Sequence, residues 1–263
     1  MIWAGMIRAA AGAAVLAAAG GDARAEGPVA VDAAIVLAID VSGSMDLEEL
    51  AVQRAGYLDA LRHPDLARIV AAGRTGRIAL SHFEWAGQVR ADSTVPWRVI
   101  DGAAGLEAFA REIEALPVHT SFGTSIARAI DYGVALIEAA DFAADRWAID
   151  VSGDGPNNVG PPVTEARDRA LAAGVTINGL PIVIRPSRGL ADLPGYFEDC
   201  VIGGPGAFVM PAVEAEELAP AIRRKLFREL IGAAPEAEVR LAAGEAAPDC
   251  LIGERLRRER GQF

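Results

Sequence analysis

The chain has 263 residues, 52% of them hydrophobic and 23% charged, with a formal net charge of −11. This composition supplies a sizeable core and excludes a disordered chain. The acidic balance lacks the basic face that phosphate backbones require, so nucleic acid is not an expected partner.

The chain opens with Arg8, an apolar stretch from Ala9 to Ala19, and Ala23-Arg24-Ala25. These are the positive region, short apolar region and small-x-small cleavage site of an export signal. The apolar stretch is too short to span a bilayer and stops at Gly20-Gly21-Asp22. The expectation is a signal peptide over 1–25, a mature chain from Glu26 with no transmembrane segment, and a periplasmic or secreted location. No Cys lies near the cleavage point, so a lipid anchor is not expected.

Ala33 to Ile39 is a continuous apolar run, which reads as a buried strand. It ends in Asp40-Val41-Ser42-Gly43-Ser44-Met45, so a carboxylate and two hydroxyls stand on a strand-to-helix loop. In open α/β sheets ligands bind at such carboxyl ends. A helix follows from Asp46 to Leu61, with acids in its first turn and Leu47, Leu50, Ala51, Leu58 and Leu61 on one face. Arg54 falls near that stripe and is read as snorkelling rather than pairing with a buried acid. His63-Pro64 ends the helix.

Gly76 to Trp85 reads as a second strand, and Gln88 to Val99 as an extended edge. Leu106 to Leu116 and Ser125 to Ala140 are helices, the latter with Ile126, Ala129, Ile130, Gly133 and Ile137 at helical spacing. Arg146 to Ser152 is a strand stopped by Gly153-Asp154-Gly155-Pro156. A helix from Thr164 to Ala173, a strand from Val175 to Ile184, a short strand from Ala207 to Met210 and a helix from Glu214 to Ile231 follow. Alternating strands and helices predict an α/β domain over 29–231: a doubly wound, mainly parallel sheet with helices on both faces. Residues 232–263 read as a tail, basic at Arg255, Arg257, Arg258 and Arg260, with a solvated helix end as the reading of that cluster.

Cys200 and Cys250 are the only cysteines, so a single pairing exists. In an oxidising compartment they are expected to form a disulfide, worth about 4 kcal/mol in the chain-entropy picture. The alternative is a pair of buried free thiols.

Three loops carry oxygen ligands: Asp40, Ser42 and Ser44 on the first, Thr120 to Ser125 on the second, Ser152 to Gly155 on the third. All three fall on one edge of a parallel sheet. Carboxylates and hydroxyls without thiols or imidazoles are hard ligands for Mg²⁺, Mn²⁺ or Ca²⁺, and few, mostly neutral ligands suit Mg²⁺.

Here the chain resembles the von Willebrand factor A (VWA) family. Asp40-x-Ser42-x-Ser44 is similar to the first element of its metal-ion-dependent adhesion site. Thr124, within Gly123-Thr124-Ser125-Ile126-Ala127-Arg128-Ala129-Ile130, is similar to the second, and Asp154 in Asp154-Gly155 to the third. Ala127 stands where the family commonly has Gly. The resemblance spans about Val31 to Ile231. It implies that Ser42, Ser44 and Thr124 bind the ion directly, that Asp154 often acts through water, and that one coordination position stays open for a carboxylate on a protein partner. The export signal, Val151 to Asn158 and the Gly203-Gly204-Pro205-Gly206 turn also resemble an uncharacterised exported bacterial branch of the family, domain of unknown function 1194.

The expected function is therefore metal-dependent binding, not catalysis. Two alternatives stand beside it. A metal-dependent phosphotransfer or hydrolytic enzyme usually needs a second carboxylate two residues after the first Asp, where this chain has Ser42. Nor do His63, His82 or His119 have the spacing of a base; only His119, near Thr124, merits a test. A metal-free structural domain is the other alternative.

Overall fold

The computed structural model describes residues 27–184, 190–232 and 249–261. The expected signal peptide over 1–25 and residues 233–248 of the expected tail lie outside the described residues.

In chain order the elements are β1 (Ala30–Val31), β2 (Ala33–Asp40), α1 (Leu47–Arg62), α2 (Pro64–Ala72), β3 (Ile78–Trp85), β4 (Val89–Ile100), α3 (Ala103–Glu114), α4 (Ile126–Glu138), β5 (Ala143–Ala144), β6 (Trp147–Gly153), α5 (Val163–Ala172) and β7 (Thr176–Pro181). Then come α6 (Leu193–Tyr196), which runs into a π-helical turn over Phe197–Val201, α7 (Ala215–Ile231) and α8 (Ile252–Glu259). The main sheet has the order β4-β3-β2-β6-β7. All its pairings are parallel except β3 with the edge strand β4.

Strand β2 is buried along its whole length because both of its faces are covered. Its alternate side chains go to opposite layers. Ile35, Leu37 and Ile39 pack with α1, α2, α3 and α7, whereas Val36 and Ala38 pack with α4 and α5. The chain leaves β2 towards β3 on one side and later returns as β6 on the other. The carboxyl end of β2 is therefore the point where the winding reverses, the crevice where ligands enter such sheets. No helix among the described residues is long and apolar enough to cross a membrane.

Several local expectations need correction. Helix α1 does end at Arg62 with His63 as its extended cap, but a second helix, not expected, follows at once. Pro64 is pre-set for a first helical turn, and His63 Nδ1 accepts the Asp65 N–H at 3.2 Å, so α2 begins there. Leu47 and Ala51 are exposed; Leu50, Leu58 and Leu61 are buried as expected, and Gln53 and Tyr57 join them on the buried face of α1. Arg54 does not snorkel: it donates to Glu84 Oε1 at 2.5 Å and to the Leu116 carbonyl at 2.6 Å. Glu84 is buried on β3, and a buried carboxylate recruits the nearest cation. The Ala207 to Met210 segment meets β7 through one isolated bridge, Val209 with Gly179, not a ladder. Pro205 and Pro211, which flank it, have no N–H to extend the pairing.

Within the expected tail, α8 packs on the domain, with Gly253 buried, and is tied to it by a Cys200–Cys250 disulfide.

Candidate metal centre

Asp40 is the last residue of β2 and is fully buried. Its Oδ1 accepts the Ser42 N–H at 2.7 Å, which turns the chain sharply off the strand. Its Oδ2 is buried and has no hydrogen-bond partner among the described residues. A Cβ on Gly153 would lie 3.1 Å from that oxygen, so a side chain there would crowd it. The turn ends at Asp46, which caps α1: its Oδ1 accepts the Glu48 and Glu49 N–H groups at 2.9 Å, and Glu49 caps back onto Asp46.

Asp154 stands just past β6. Its Oδ1 accepts the Ser44 hydroxyl at 2.7 Å and, more loosely, that of Ser42 at 3.4 Å. The two hydroxyls lie 3.0 Å apart. Asp40, Ser42, Ser44 and Asp154 thus form one oxygen cluster, drawn from the ends of adjacent parallel strands.

Thr124 is buried and arrives through its backbone. Ser121 pairs with Ser42 in a parallel bridge, Gly43 N–H donates to the Ser121 carbonyl, and Gly87 N–H donates to that of Phe122. Gly123 has φ of +80°, a conformation open to glycine, and swings the chain into α4 directly after Thr124. The Thr124 N–H donates to Asn158 Oδ1 at 2.9 Å.

Burial is the main cause that raises the Asp40 carboxyl well above its ordinary range, with the Asp154 charge second. Burial also raises Asp154, against the hydrogen bonds from Ser44 and Ser42 and with a further push from Glu49. Two carboxyls that resist ionisation, Asp40 fully buried with an orphan oxygen and Asp154 half-buried, fit a hard divalent cation: it would supply the missing partner and offset their mutual repulsion. Among the described residues there is no group of three or more His, Cys, Asp or Glu side chains placed to hold a metal, so the cluster depends on its hydroxyls. Asp40, Ser42, Ser44, Thr124 and Asp154 are the residues that would hold the ion.

Gln53 escaped the sequence reading. Its Nε2 donates to the Asp40 carbonyl at 3.0 Å and its Oε1 accepts the Ser152 hydroxyl at 3.3 Å, so it ties the ends of β2 and β6 together. A polar residue three after Leu50 and four before Tyr57, on the buried stripe of α1, was the available signal.

The family model described as "Protein of unknown function (DUF1194)" matches residues 30–234. The chain belongs to the DUF1194 family. No curated protein matches it. Among solved structures, the DUF1194 domain is similar to proximal thread matrix protein 1 from the mussel byssus, with TM-score 0.57 and 14% identity over 78% of this chain and 49% of that one. It therefore spans about half of the mussel protein, a further structure of which is described as having a zinc-occupied MIDAS motif. The von Willebrand factor domain of the type V pili tip protein Mfa5 from Porphyromonas gingivalis matches with TM-score 0.54 and 13% identity, over 80% of this chain and 99% of that one. A von Willebrand factor type A protein from Catenulispora acidiphila matches with TM-score 0.53 and 15% identity, over 76% and 43%. The DUF1194 domain thus has the α/β fold of von Willebrand factor A domains.

Proposed function

We propose that this protein is an exported binding module that holds a divalent cation, Mg²⁺ in the first instance and Mn²⁺ or Ca²⁺ otherwise, on Asp40, Ser42, Ser44, Thr124 and Asp154. Through the ion it engages an exposed carboxylate of a protein partner. The observation that carries the reading is the orphan Oδ2 of buried Asp40 beside a second, half-buried carboxyl, with Ser42 and Ser44 hydroxyls turned toward that carboxyl. Five ligands, three of them neutral, leave a divalent ion short of a full shell, so an incoming Glu or Asp completes it.

Phe122 adds to the same surface. Its side chain is 94% exposed although its backbone is held by Gly87, and it stands two residues from Thr124. An exposed aromatic ring on a loop beside an ion is the kind of anchor that carries binding energy in interfaces.

Pull-down from the cell envelope with the mature protein, with and without chelator, tests the reading. Capture that chelator and Thr124→Ala both abolish supports it. Capture that survives both moves the binding surface to another face. Export is checked separately by intact mass, with a chain from Glu26 carrying an oxidised cysteine pair as the expected product.

A further inference from the structure

We infer that α8 is a disulfide-tethered clamp that positions the Thr124 loop, with Asn157, Asn158 and Glu254 as the positioning residues; the link to metal affinity rests on the reading above. Asn157 is fully buried and uses its whole amide to join separate segments. Its Oδ1 accepts the Ala127 N–H at 3.1 Å, capping α4, whose own N-cap Ser125 makes no side-chain cap. Its Nδ2 donates to the Pro161 carbonyl at 3.0 Å and to Glu254 Oε1, on α8, at 2.6 Å. Its backbone N–H donates to the Tyr196 hydroxyl at 3.2 Å. The next residue, Asn158, holds Thr124 from both sides: Oδ1 accepts the Thr124 N–H at 2.9 Å, and the Asn158 N–H donates to the Thr124 carbonyl at 2.8 Å. Arg257 of α8 reaches the same Oδ1 at 3.4 Å.

The helix lies hard against this loop. A Cβ built on Gly253 would overlap the Asn157 carbonyl oxygen, so only glycine lets α8 approach so closely. One residue before the helix's own N-cap, Cys250 is bonded to Cys200, which is buried in the π-helical turn beside Tyr196. The tether therefore fixes the end of α8 that contacts Asn157. Asn157 and Asn158 in turn fix the backbone on both sides of Thr124. Residues that orient a ligand without touching the ion commonly set its affinity.

The experiment compares wild type with Gly253→Ala, Glu254→Ala, Glu254→Gln and the double variant Cys200→Ala/Cys250→Ala, all in the full mature chain. Amide hydrogen exchange is read in chelator, and Mn²⁺ affinity by calorimetry. Exchange at Thr124 and Ala127 should quicken about 10-fold or more in Gly253→Ala, Glu254→Ala and the double variant, and Mn²⁺ affinity should fall about 10-fold. Glu254→Gln, which keeps an acceptor for Asn157, should restore both. Unchanged exchange at Thr124 and Ala127 in folded Gly253→Ala and Glu254→Ala overturns the clamp. Because exchange is measured without metal, a wild type that fails to bind Mn²⁺ refutes the metal reading while leaving the clamp to be judged on exchange. Should the double cysteine variant not fold, the two α8 variants decide alone.

Discussion

The Ser44 hydroxyl donates to Asp154 Oδ1 at 2.7 Å, although 110 residues separate the two in the chain. The bond closes the first loop on the third across the junction of β2 and β6, and it holds both oxygens where an ion would share them. Ser44 is exposed, so this hydrogen bond adds little to folding. Ser44→Ala should lower the melting temperature of the metal-free protein by no more than the equivalent of about 1 kcal/mol. The same variant should weaken Mg²⁺ binding clearly. Equal Mg²⁺ affinity in the two proteins would place Ser44 outside the ligand set.

Phe122→Ala should leave both folding and metal affinity as they are, because the ring contributes almost nothing to the core at 94% exposure. Partner capture should fall at least 10-fold, the range of an interface anchor. Thermal melts, Mg²⁺ titration and a quantitative pull-down separate the three effects. Undiminished capture would remove Phe122 from the docking surface.

Arg54→Met tests the buried ion pair with Glu84. Glu84 is only 3% exposed at its side chain, and burial already raises its carboxyl against the pull of Arg54. Removing the guanidinium strands that carboxyl and frees the Leu116 and Pro117 carbonyls that it also caps. The expected loss is about 3 kcal/mol by urea denaturation. The double variant Arg54→Met/Glu84→Met should recover much of it, since a buried pair is worth far less than the cost of breaking it.

A second buried charge cluster governs the pH response. Lys225 on α7 contacts both Asp150 on β6 and Glu229, and Asn178 donates to Glu229 Oε1 at 2.9 Å. Burial first, and the Asp150 charge second, hold the Glu229 carboxyl up at about 7, against the pull of Lys225 and Asn178. A carboxyl that keeps its proton more tightly when folded stabilises the fold below its unfolded value of 4.5, and that contribution is lost as pH rises through about 7. Buried His82, lowered to about 4, slopes the opposite way below its ordinary 6.5. The comparison that isolates Glu229 is therefore wild type against Glu229→Gln, both in chelator. Stability of wild type relative to the variant should decline between about pH 4.5 and 7. Parallel curves would contradict this assignment.

Much of the fold was legible because its signals are local. The apolar run of β2, the alternation of strands and helices, and the glycine and proline stops gave a doubly wound sheet, and the observed strand order has that form. The edge position of β4 followed from its mixed pattern. What escaped was set by packing between distant residues. Arg54 reads as a snorkelling cation until β3 brings Glu84 beside it. Leu47 fits the helical stripe, yet as the first residue after the Asp46 cap it is exposed. Nothing local announces that Gly253 must be glycine, because the carbonyl it avoids belongs to Asn157, almost a hundred residues earlier. The candidate ligands could be named from sequence because each stands on a loop at the end of a strand or the start of a helix, whereas the contacts that hold them, Asn158 on Thr124 and Asp154 on Ser44, come from distant loops. Gln53 was readable in principle as a polar residue on a buried stripe, but its two partners, the Asp40 carbonyl and Ser152, come from different strands.

Calorimetric titration of Mg²⁺ and Mn²⁺ into metal-free wild type and Asp40→Asn bears most directly on the central claim. Asp40→Asn keeps the side chain's shape and its hydrogen bond to Ser42 while removing a buried carboxyl whose charge burial and neighbouring Asp154 both disfavour, so the variant should fold at least as well as wild type without metal. Wild type is expected to bind a single divalent ion per chain and Asp40→Asn none. Absence of binding by wild type, or equal binding by both, would contradict a metal centre at the carboxyl end of β2.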